Sequence, residues 1–182
     1  MAALLFLIDS LLSVAQFVFL LRLLLQWARA DFRNPLVRSV VQLTNPLLVP
    51  LRRALPAVGQ LDTASVVIVV ALALLRVCLP QLLGGLGLPP ALPWLELAAL
   101  QIVRTTLWIY FFAIFLYATL SLIAPGTYSP AQAVLTSLCE PALRRFRRLI
   151  PPLANLDLSP LWAGILIQAL LILLQELQIL VR

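Results

Sequence analysis

One segment of this chain occurs twice, and the duplication constrains the fold more than any other feature. An offset of 95 positions, the distance from Pro35 to Pro130, aligns the two copies without a gap. The matching positions are prolines, leucines, arginines and an aspartate: Pro35, Pro46, Leu48, Arg52, Arg53, Pro56, Leu61 and Asp62 correspond to Pro130, Pro141, Leu143, Arg147, Arg148, Pro151, Leu156 and Asp157. Long apolar runs flank each copy. The pattern predicts a tandem duplication of one unit, an apolar span, a basic proline-punctuated segment and a second apolar span.

The composition indicates the solvent in which these units fold. Apolar residues make up 63% of the chain, charged residues 11%, and the mean hydropathy is +1.05. A soluble domain is about half apolar and about one quarter charged. The apolar surplus therefore predicts a protein that is embedded in a lipid bilayer.

Four apolar runs are long enough to cross a bilayer as helices, which takes about 20 residues. We place these spans at about 4–28, 63–83, 105–124 and 158–178, with a helical lead-in from Trp94 to Arg104 before the third. Basic segments at 29–62 and 125–157 separate the spans within each unit. An uncharged linker rich in Gly and Pro, 84–93, separates unit 1–83 from unit 94–182. The prediction is an all-α membrane protein with four transmembrane helices in two tandem parallel repeats.

The basic segments predict the orientation of the spans. Residues 36–43 are amphipathic at helical spacing, so this stretch is expected to lie in the interface plane. Pro46 and Pro50 are expected to end that helix, because proline removes a backbone donor and clashes with the preceding turn. The positive-inside rule places both basic segments in the cytoplasm and both termini outside. The two units then share one orientation, which predicts a pseudo-two-fold axis along the membrane normal.

At these positions the chain resembles a known family. The first copy resembles the first YGGT repeat of the YggT/YlmG family at Arg22-Leu23-Leu24-Leu25-Gln26-Trp27, Asn34-Pro35, Pro46, Pro50, Arg52-Arg53 and Asp62. The second copy resembles the second repeat at Glu140-Pro141, Arg147-Arg148, Pro151 and Asp157-Leu158-Ser159-Pro160. The copies differ where Tyr117 and Leu122 stand in place of Arg22 and Trp27, and where Ser65 stands in place of Pro160.

This resemblance covers nearly the whole chain. It implies a multi-pass protein of the bacterial inner membrane with no established catalytic activity. It also implies a link to tolerance of hyperosmotic stress, through potassium uptake, and plastid relatives are linked to cytochrome maturation and nucleoid distribution.

The two arginine pairs, Arg52 with Arg53 and Arg147 with Arg148, have two interpretations. They set the topology by touching anionic headgroups, worth about 1 kcal/mol per arginine near the surface. Alternatively, they form a docking surface for a protein partner or for specific acidic lipids. Their fixed spacing to the following prolines and aspartates favours a geometric role, and one such arrangement is an arginine that pairs with the aspartate at the foot of the following helix.

Four further charged residues are candidates for structural or functional roles. Asp62 and Asp157 are most simply interpreted as helix N-caps, each worth about 0.5–1 kcal/mol. The alternative is that they form a carboxylate pair near the pseudo-axis that could bind a cation. Arg22 and Arg76 lie within spans, where an ionisable residue is a functional hypothesis by default. Arg22 is close enough to the cytoplasmic end to extend its charge to the headgroups. Arg76 lies deeper and could pair with Asp9 or Glu96.

Several classes of function are excluded. All 13 basic residues are arginine, and the chain has no lysine and no histidine. A Ser-His-Asp triad, an axial-histidine haem site, a Walker A lysine and a Schiff base are therefore absent. Cys78 and Cys139 match no metal or redox spacing and are expected to be free thiols. We predict no catalytic, cofactor or metal site, and the basic segments lack the aromatic interleaving of a nucleic-acid surface.

Two functional hypotheses remain. The first is a non-enzymatic scaffold or assembly and stress factor that engages lipid and an unknown protein partner through the cytoplasmic arginine segments. The second is a small ion channel or transporter component, for potassium, which requires a homo-oligomer because four helices are too few for a familiar pore.

Overall fold

The computed structural model describes residues 2–55, 62–83, 91–123, 129–149 and 157–181. Six α-helices occupy these ranges: α1 (Ala2–Trp27), α2 (Pro35–Ala54), α3 (Thr63–Leu83), α4 (Ala91–Ile123), α5 (Pro130–Leu149) and α6 (Ser159–Val181). No strand occurs within them. The predicted all-α class is confirmed.

Four of the helices, α1, α3, α4 and α6, are long and apolar enough to cross a membrane. At most 17% of the residues in the apolar stretch of each helix are buried inside the protein. Their apolar side chains therefore face outward, as a bilayer requires, and the chain is a multi-pass membrane protein. The lead-in and the third span form one helix, α4, which begins at Ala91 inside the predicted linker; residues 84–90 lie outside the described ranges.

The prediction that Pro46 and Pro50 end the amphipathic helix is wrong. Helix α2 continues through both prolines to Ala54, and α5 likewise continues through Pro141. An interior proline removes one helical hydrogen bond and crowds the preceding turn. Burial of one face compensates in α2, because Val37, Thr44 and Leu48 are at most 1% exposed and lie on both sides of Pro46.

Each repeat begins its second helix with proline, which is tolerated in a first turn. Before α2, the Oδ1 of Asn34 accepts a hydrogen bond from the Leu36 amide at 2.9 Å, a typical N-cap. The Nδ2 of the same asparagine donates to the Pro130 carbonyl at 2.8 Å, so the N-termini of α2 and α5 meet. We call the end of the bundle that carries α2 and α5 the basic face, and the other end the opposite face.

The repeats match internally but differ in their surroundings. Helix α1 packs on α2 and α3 as α4 packs on α5 and α6. In contrast, α3 contacts α4 while α6 makes no contact with α1 among the described ranges, and α5 contacts α1 while α2 makes none with α4. Helix α5 is therefore more enclosed than α2. The helix contacts inside one repeat match those inside the other, but the contacts between the repeats are not symmetric.

Candidate functional site

The basic face carries two polar clusters at equivalent places in the two repeats. Each is built from the end of the first span, the second helix and the start of the following span. The repeat-1 cluster comprises Arg22, Thr44, Asn45, Arg52, Asp62 and Ser65. The repeat-2 cluster comprises Tyr117, Glu140, Arg147, Asp157 and Ser159.

Asp62 is the only carboxylate of the repeat-1 cluster. Its Oδ2 contacts Nη2 of Arg52 and accepts from Oγ of Ser65 at 2.6 Å, and its Oδ1 lies 3.3 Å from Nε of Arg52. Burial alone raises the pKa of Asp62, but the hydrogen bonds from Arg52 and Ser65 and the nearby arginine charges outweigh it, so the pKa lies below its ordinary value. The hydrogen bond to Asp62 in turn raises the pKa of Arg52. Both groups are therefore ionised at neutral pH.

Arg22 is buried against α2. Its Nη1 donates to the Val41 carbonyl at 3.1 Å, to Oδ1 of Asn45 at 3.0 Å and to Oγ1 of Thr44. Arg22 is only 5% exposed, so the expectation that it extends to the headgroups is wrong. The reason is tertiary, because α2 folds over the end of α1 and supplies acceptors that the headgroups would otherwise supply.

Arg147 is the centre of the repeat-2 cluster. Its Nε donates to Oδ2 of Asp157 at 2.7 Å, its Nη1 to Oε1 of Glu140 at 2.9 Å, and its Nη2 to Oη of Tyr117 at 3.2 Å. The Oδ1 of Asp157 accepts from the Ser159 amide at 2.9 Å, so this aspartate also caps the start of α6.

The pKa values in this cluster follow from the same contacts. Burial lowers the pKa of Arg147, but the hydrogen bonds with Asp157 and Tyr117 and the two carboxylate charges raise it more. Burial likewise raises the pKa of Asp157, and the hydrogen bonds from Ser159 and Arg147 bring it below its ordinary value. Neighbouring Cys139 is fully buried, and burial followed by the Glu140 charge raises its pKa to about 12.

The two clusters differ in charge. In repeat 1 the single carboxylate, Asp62, binds Arg52 while Arg22 binds uncharged acceptors of α2, whereas in repeat 2 one arginine binds two carboxylates. Tyr117 stands at the position of Arg22, and Glu140 at the position of Asn45. The replacement of Arg22 by Tyr117 is visible in the sequence, but Thr44, Asn45, Glu140 and Tyr117 were not predicted as members of the clusters. The available signal was the 95-residue offset, which sets Glu140 opposite Asn45, directly before the aligned prolines.

Each arginine pair is divided between two environments. Arg52 and Arg147 contact the aspartates, although the Arg52 side chain is also 42% exposed. Arg53, Arg144, Arg145 and Arg148 are exposed. None of these four exposed arginines pairs with a carboxylate in the described ranges. Asp62 and Asp157 each bind the arginine of their own repeat, and in the part of the chain that the structure describes no three His, Cys, Asp or Glu side chains are placed to hold a metal ion.

The remaining predicted positions fall as follows. Pro35 and Pro130 are the first residues of α2 and α5, Pro46 and Pro141 lie inside these helices, and Pro56 and Pro151 lie outside the described residues. Cys78 and Cys139 are free thiols, as expected.

Arg76 lies towards the opposite face and connects three helices. Its Nε donates to Oδ1 of Asp9 and its Nη1 to Oε1 of Gln16, both at 2.9 Å. The oxygen of the Gln101 amide lies 2.8 Å from Nη1 when the amide is oriented to accept. Of the two partners considered from the sequence, Asp9 and Glu96, the structure contains the pair with Asp9.

Comparison with known proteins identifies the family. The sequence profile of the CCB3/YggT family matches residues 1–83 and 97–178. An uncharacterized protein of Pseudomonas aeruginosa is 37% identical over 164 residues, covering 88% of this chain and 82% of the relative. The uncharacterized protein YggT of Escherichia coli K12 is 35% identical over 162 residues, covering 88% and 83%. No solved structure matches. The chain is a member of the CCB3/YggT family.

Proposed function

We propose that this protein is a non-enzymatic scaffold or assembly factor of the bacterial inner membrane that acts in osmotic stress tolerance. The observation that carries this proposal is the set of exposed arginines on the basic face, Arg53, Arg144, Arg145 and Arg148, which have no carboxylate partner among the described residues. Charges that the fold does not use internally are available to lipids and partners. The positive-inside rule supports a cytoplasmic location for this face.

The exposed surfaces of α2 and α5 differ in composition, which supports a different role for each helix. Helix α2 exposes an apolar stripe, Leu36, Leu43 and Leu47, beside Arg38 and Arg53. Apolar residues next to arginine are typical of a helix that lies in the headgroup region of anionic lipids. We therefore assign the anchoring of the basic face to α2.

Helix α5 presents a different surface. Its exposed residues include Arg144, Arg145 and Arg148, and no large apolar side chain of α5 is exposed in its described part. A charged surface without an apolar stripe has little affinity for the acyl region and suits a polar, acidic surface. We therefore assign the docking of an acidic protein partner to α5.

The test reverses the charges of one helix at a time. An α5 variant (Arg144→Glu, Arg145→Glu, Arg148→Glu) and an α2 variant (Arg38→Glu, Arg53→Glu) are compared with versions that carry lysine at the same positions. The readouts are membrane insertion, photo-cross-linking from position 141, which is exposed on α5 and unchanged in every variant, and survival of a deletion strain after hyperosmotic shock.

The two helices should respond differently. We expect the α5 variant to insert, to lose its protein cross-links and to lose complementation, while the α5 lysine version keeps all three. The α2 variant should lose membrane anchoring of the basic face. An inserted α5 variant with unchanged cross-links and survival would refute the docking role.

A second candidate is a small oligomeric ion channel or transporter component. The polar cavity around Arg76 supports this candidate because it extends into the membrane-spanning part of the bundle. Two arginines line it, however, and they repel cations. Potassium flux in proteoliposomes tests the candidate, and we expect no flux above that of empty vesicles.

A further inference from the structure

A polar cavity opens near the opposite face of the bundle, away from the basic face. Its volume is about 850 Å³, and α1, α3 and α4 line it together with Gln178 of α6. Along α1 the lining runs from Asp9 to Phe17, eight residues or about 12 Å of helix. The cavity therefore extends from the opposite face towards the middle of the membrane span.

The charges that line the cavity do not cancel. Arg76 and Arg104 face one carboxylate, Asp9. Arg76 is occupied by Asp9 and Gln16, but the sole contact of the exposed Arg104 within the described ranges is a long one, 3.4 Å from Nη1 to Oε1 of Gln178. A guanidinium carries five donors, so most donors of Arg104 remain available. The cavity thus has an excess of one positive charge.

A deeper donor is also without a partner. Gln16 is fully buried and binds Arg76 through its Oε1, while its Nε2 has no hydrogen-bond partner among the described residues. A buried donor left unsatisfied is unfavourable. Gln16 does not line the cavity, so the charged donors that an occupant can reach are those of Arg104 and Arg76.

The inner part of the cavity is aromatic. Phe17, Trp108 and Phe112 line it, and the rings of Trp108 and Phe112 stack with centroids 5.4 Å apart. Phe17 and Phe112 are 38% and 51% exposed, so this part opens sideways towards the acyl chains. A cationic rim above an aromatic wall suits a ligand with an anionic head and an apolar tail.

We propose that this cavity binds a phosphate oxyanion, with Arg104 as the principal ligand and Arg76 as the second positive charge. A guanidinium binds phosphate through two parallel hydrogen bonds, and the volume is typical of a ligand site. The phosphate comes from the headgroup of an anionic phospholipid, which unlike phosphatidylcholine has no ammonium group to offset its charge, or from free inorganic phosphate, and the aromatic wall favours the lipid. This site lies on the face opposite the proposed docking surface and is independent of it.

Trp108 provides a reporter inside the cavity. In a variant with Trp27, Trp94 and Trp162 changed to Phe, the remaining indole reports on nearby lipid. The full chain is placed in phosphatidylcholine nanodiscs that contain either brominated phosphatidylglycerol or brominated phosphatidylcholine, since bromine quenches tryptophan only at short range. A parallel arm adds inorganic phosphate to nanodiscs of phosphatidylcholine alone.

We expect brominated phosphatidylglycerol to quench Trp108 more strongly, with an enrichment on the order of fivefold for one available arginine. Arg104→Gln should abolish the preference, and Asp9→Asn should strengthen it by removing the competing carboxylate. Arg33→Gln, at an exposed arginine of the basic face, is the matched control for loss of charge and should leave the preference intact.

The two arms separate the sources of phosphate. A response to inorganic phosphate alone that Arg104→Gln removes would assign the site to the free anion, and a response to phosphatidylglycerol alone would assign it to the lipid. Equal quenching by both lipids with no response to phosphate would overturn the proposal. A lipid preference that survives Arg104→Gln would overturn it as well.

Discussion

The repeat-1 and repeat-2 clusters show how one duplicated motif can be stabilised in two ways. Both place an arginine of the second helix against the aspartate that opens the next span. In repeat 1 the aspartate side chain is 4% exposed and is the single carboxylate of the cluster, bound to an Arg52 side chain that is 42% exposed. In repeat 2 the two carboxylates that share Arg147 are 39% and 40% exposed. Repeat 1 therefore depends on one buried group, whereas repeat 2 has a reserve.

Arg22 stabilises the second helix of repeat 1, and repeat 2 has no arginine at the equivalent position. Helix α2 contains two interior prolines, Pro46 and Pro50, whereas α5 has only Pro141 because Arg145 stands at the second position. Each interior proline removes a backbone donor. Arg22 supplies side-chain donors to α2 at Val41 and Asn45, next to the turn that Pro46 disturbs. The additional arginine thus stands in the repeat whose second helix is the weaker one.

Removing the aspartate of each repeat should give the largest contrast. Asp62→Asn removes the only carboxylate that binds Arg52. Asp62 is buried but the Arg52 side chain is 42% exposed, so solvent screens the pair and we expect a loss of about 2 kcal/mol of unfolding free energy. Asp157→Asn leaves Glu140 on Arg147 in a half-exposed site, where such pairs contribute less than about 1 kcal/mol. Unfolding of the purified variants in mixed detergent micelles measures both. Equal losses would show that burial does not distinguish the clusters.

Exchanging the first residues of the clusters tests their charge balance. Arg22→Tyr removes the donors to Val41, Thr44 and Asn45 and should cost about 2 kcal/mol, because buried acceptors lose their partners. Tyr117→Arg introduces a second arginine beside two carboxylates and should change stability by less than about 0.5 kcal/mol. Thermal unfolding in detergent compares the two. A larger loss for Tyr117→Arg would contradict the assigned excess of carboxylate in repeat 2.

Features that follow from local or periodic sequence signals were predictable, whereas features that depend on helix packing were not. The spans, the repeat boundary and the placement of arginine near aspartate follow from hydropathy and from the 95-residue offset, because both are local or periodic signals. The path of α2 through Pro46, the burial of Arg22 and the choice of Asp9 over Glu96 as the partner of Arg76 depend on how helices pack. No local pattern specifies that α2 folds over the end of α1, and so the sequence predicted a helix end and an arginine that extends to the headgroups there.

Acid should destabilise both clusters within a defined pH range. The pKa values of Asp62 and Asp157 are lower in the folded protein than the ordinary carboxyl value. Their stabilising contribution is therefore complete above the unfolded pKa of about 3.9 and is lost as the pH falls through the folded pKa. We expect these groups to leave stability unchanged between pH 8 and pH 5 and to lower it below about pH 4.

The aspartate variants provide the control for this acid response. Asp62→Asn and Asp157→Asn each remove one titrating group, so each should flatten the loss of stability below about pH 4. Unfolding midpoints measured across the pH range report the change. An acid response that is the same in both variants and in the unaltered chain would assign it to other carboxylates.

The smallest effect is expected for Glu140→Gln, and it gives the sharpest test of the reserve in repeat 2. Asp157 still binds Arg147 in this variant, so the loss should be about 0.5 kcal/mol. Combining it with Asp157→Asn leaves Arg147 with Tyr117 alone, so the double variant should lose more than the sum of the single losses. In repeat 1, the stability losses of Asn45→Ala and Asp62→Asn should be closer to additive, because Asn45 binds Arg22 whereas Asp62 binds Arg52. Additive losses in repeat 2 would mean that its two carboxylates act independently and that neither substitutes for the other.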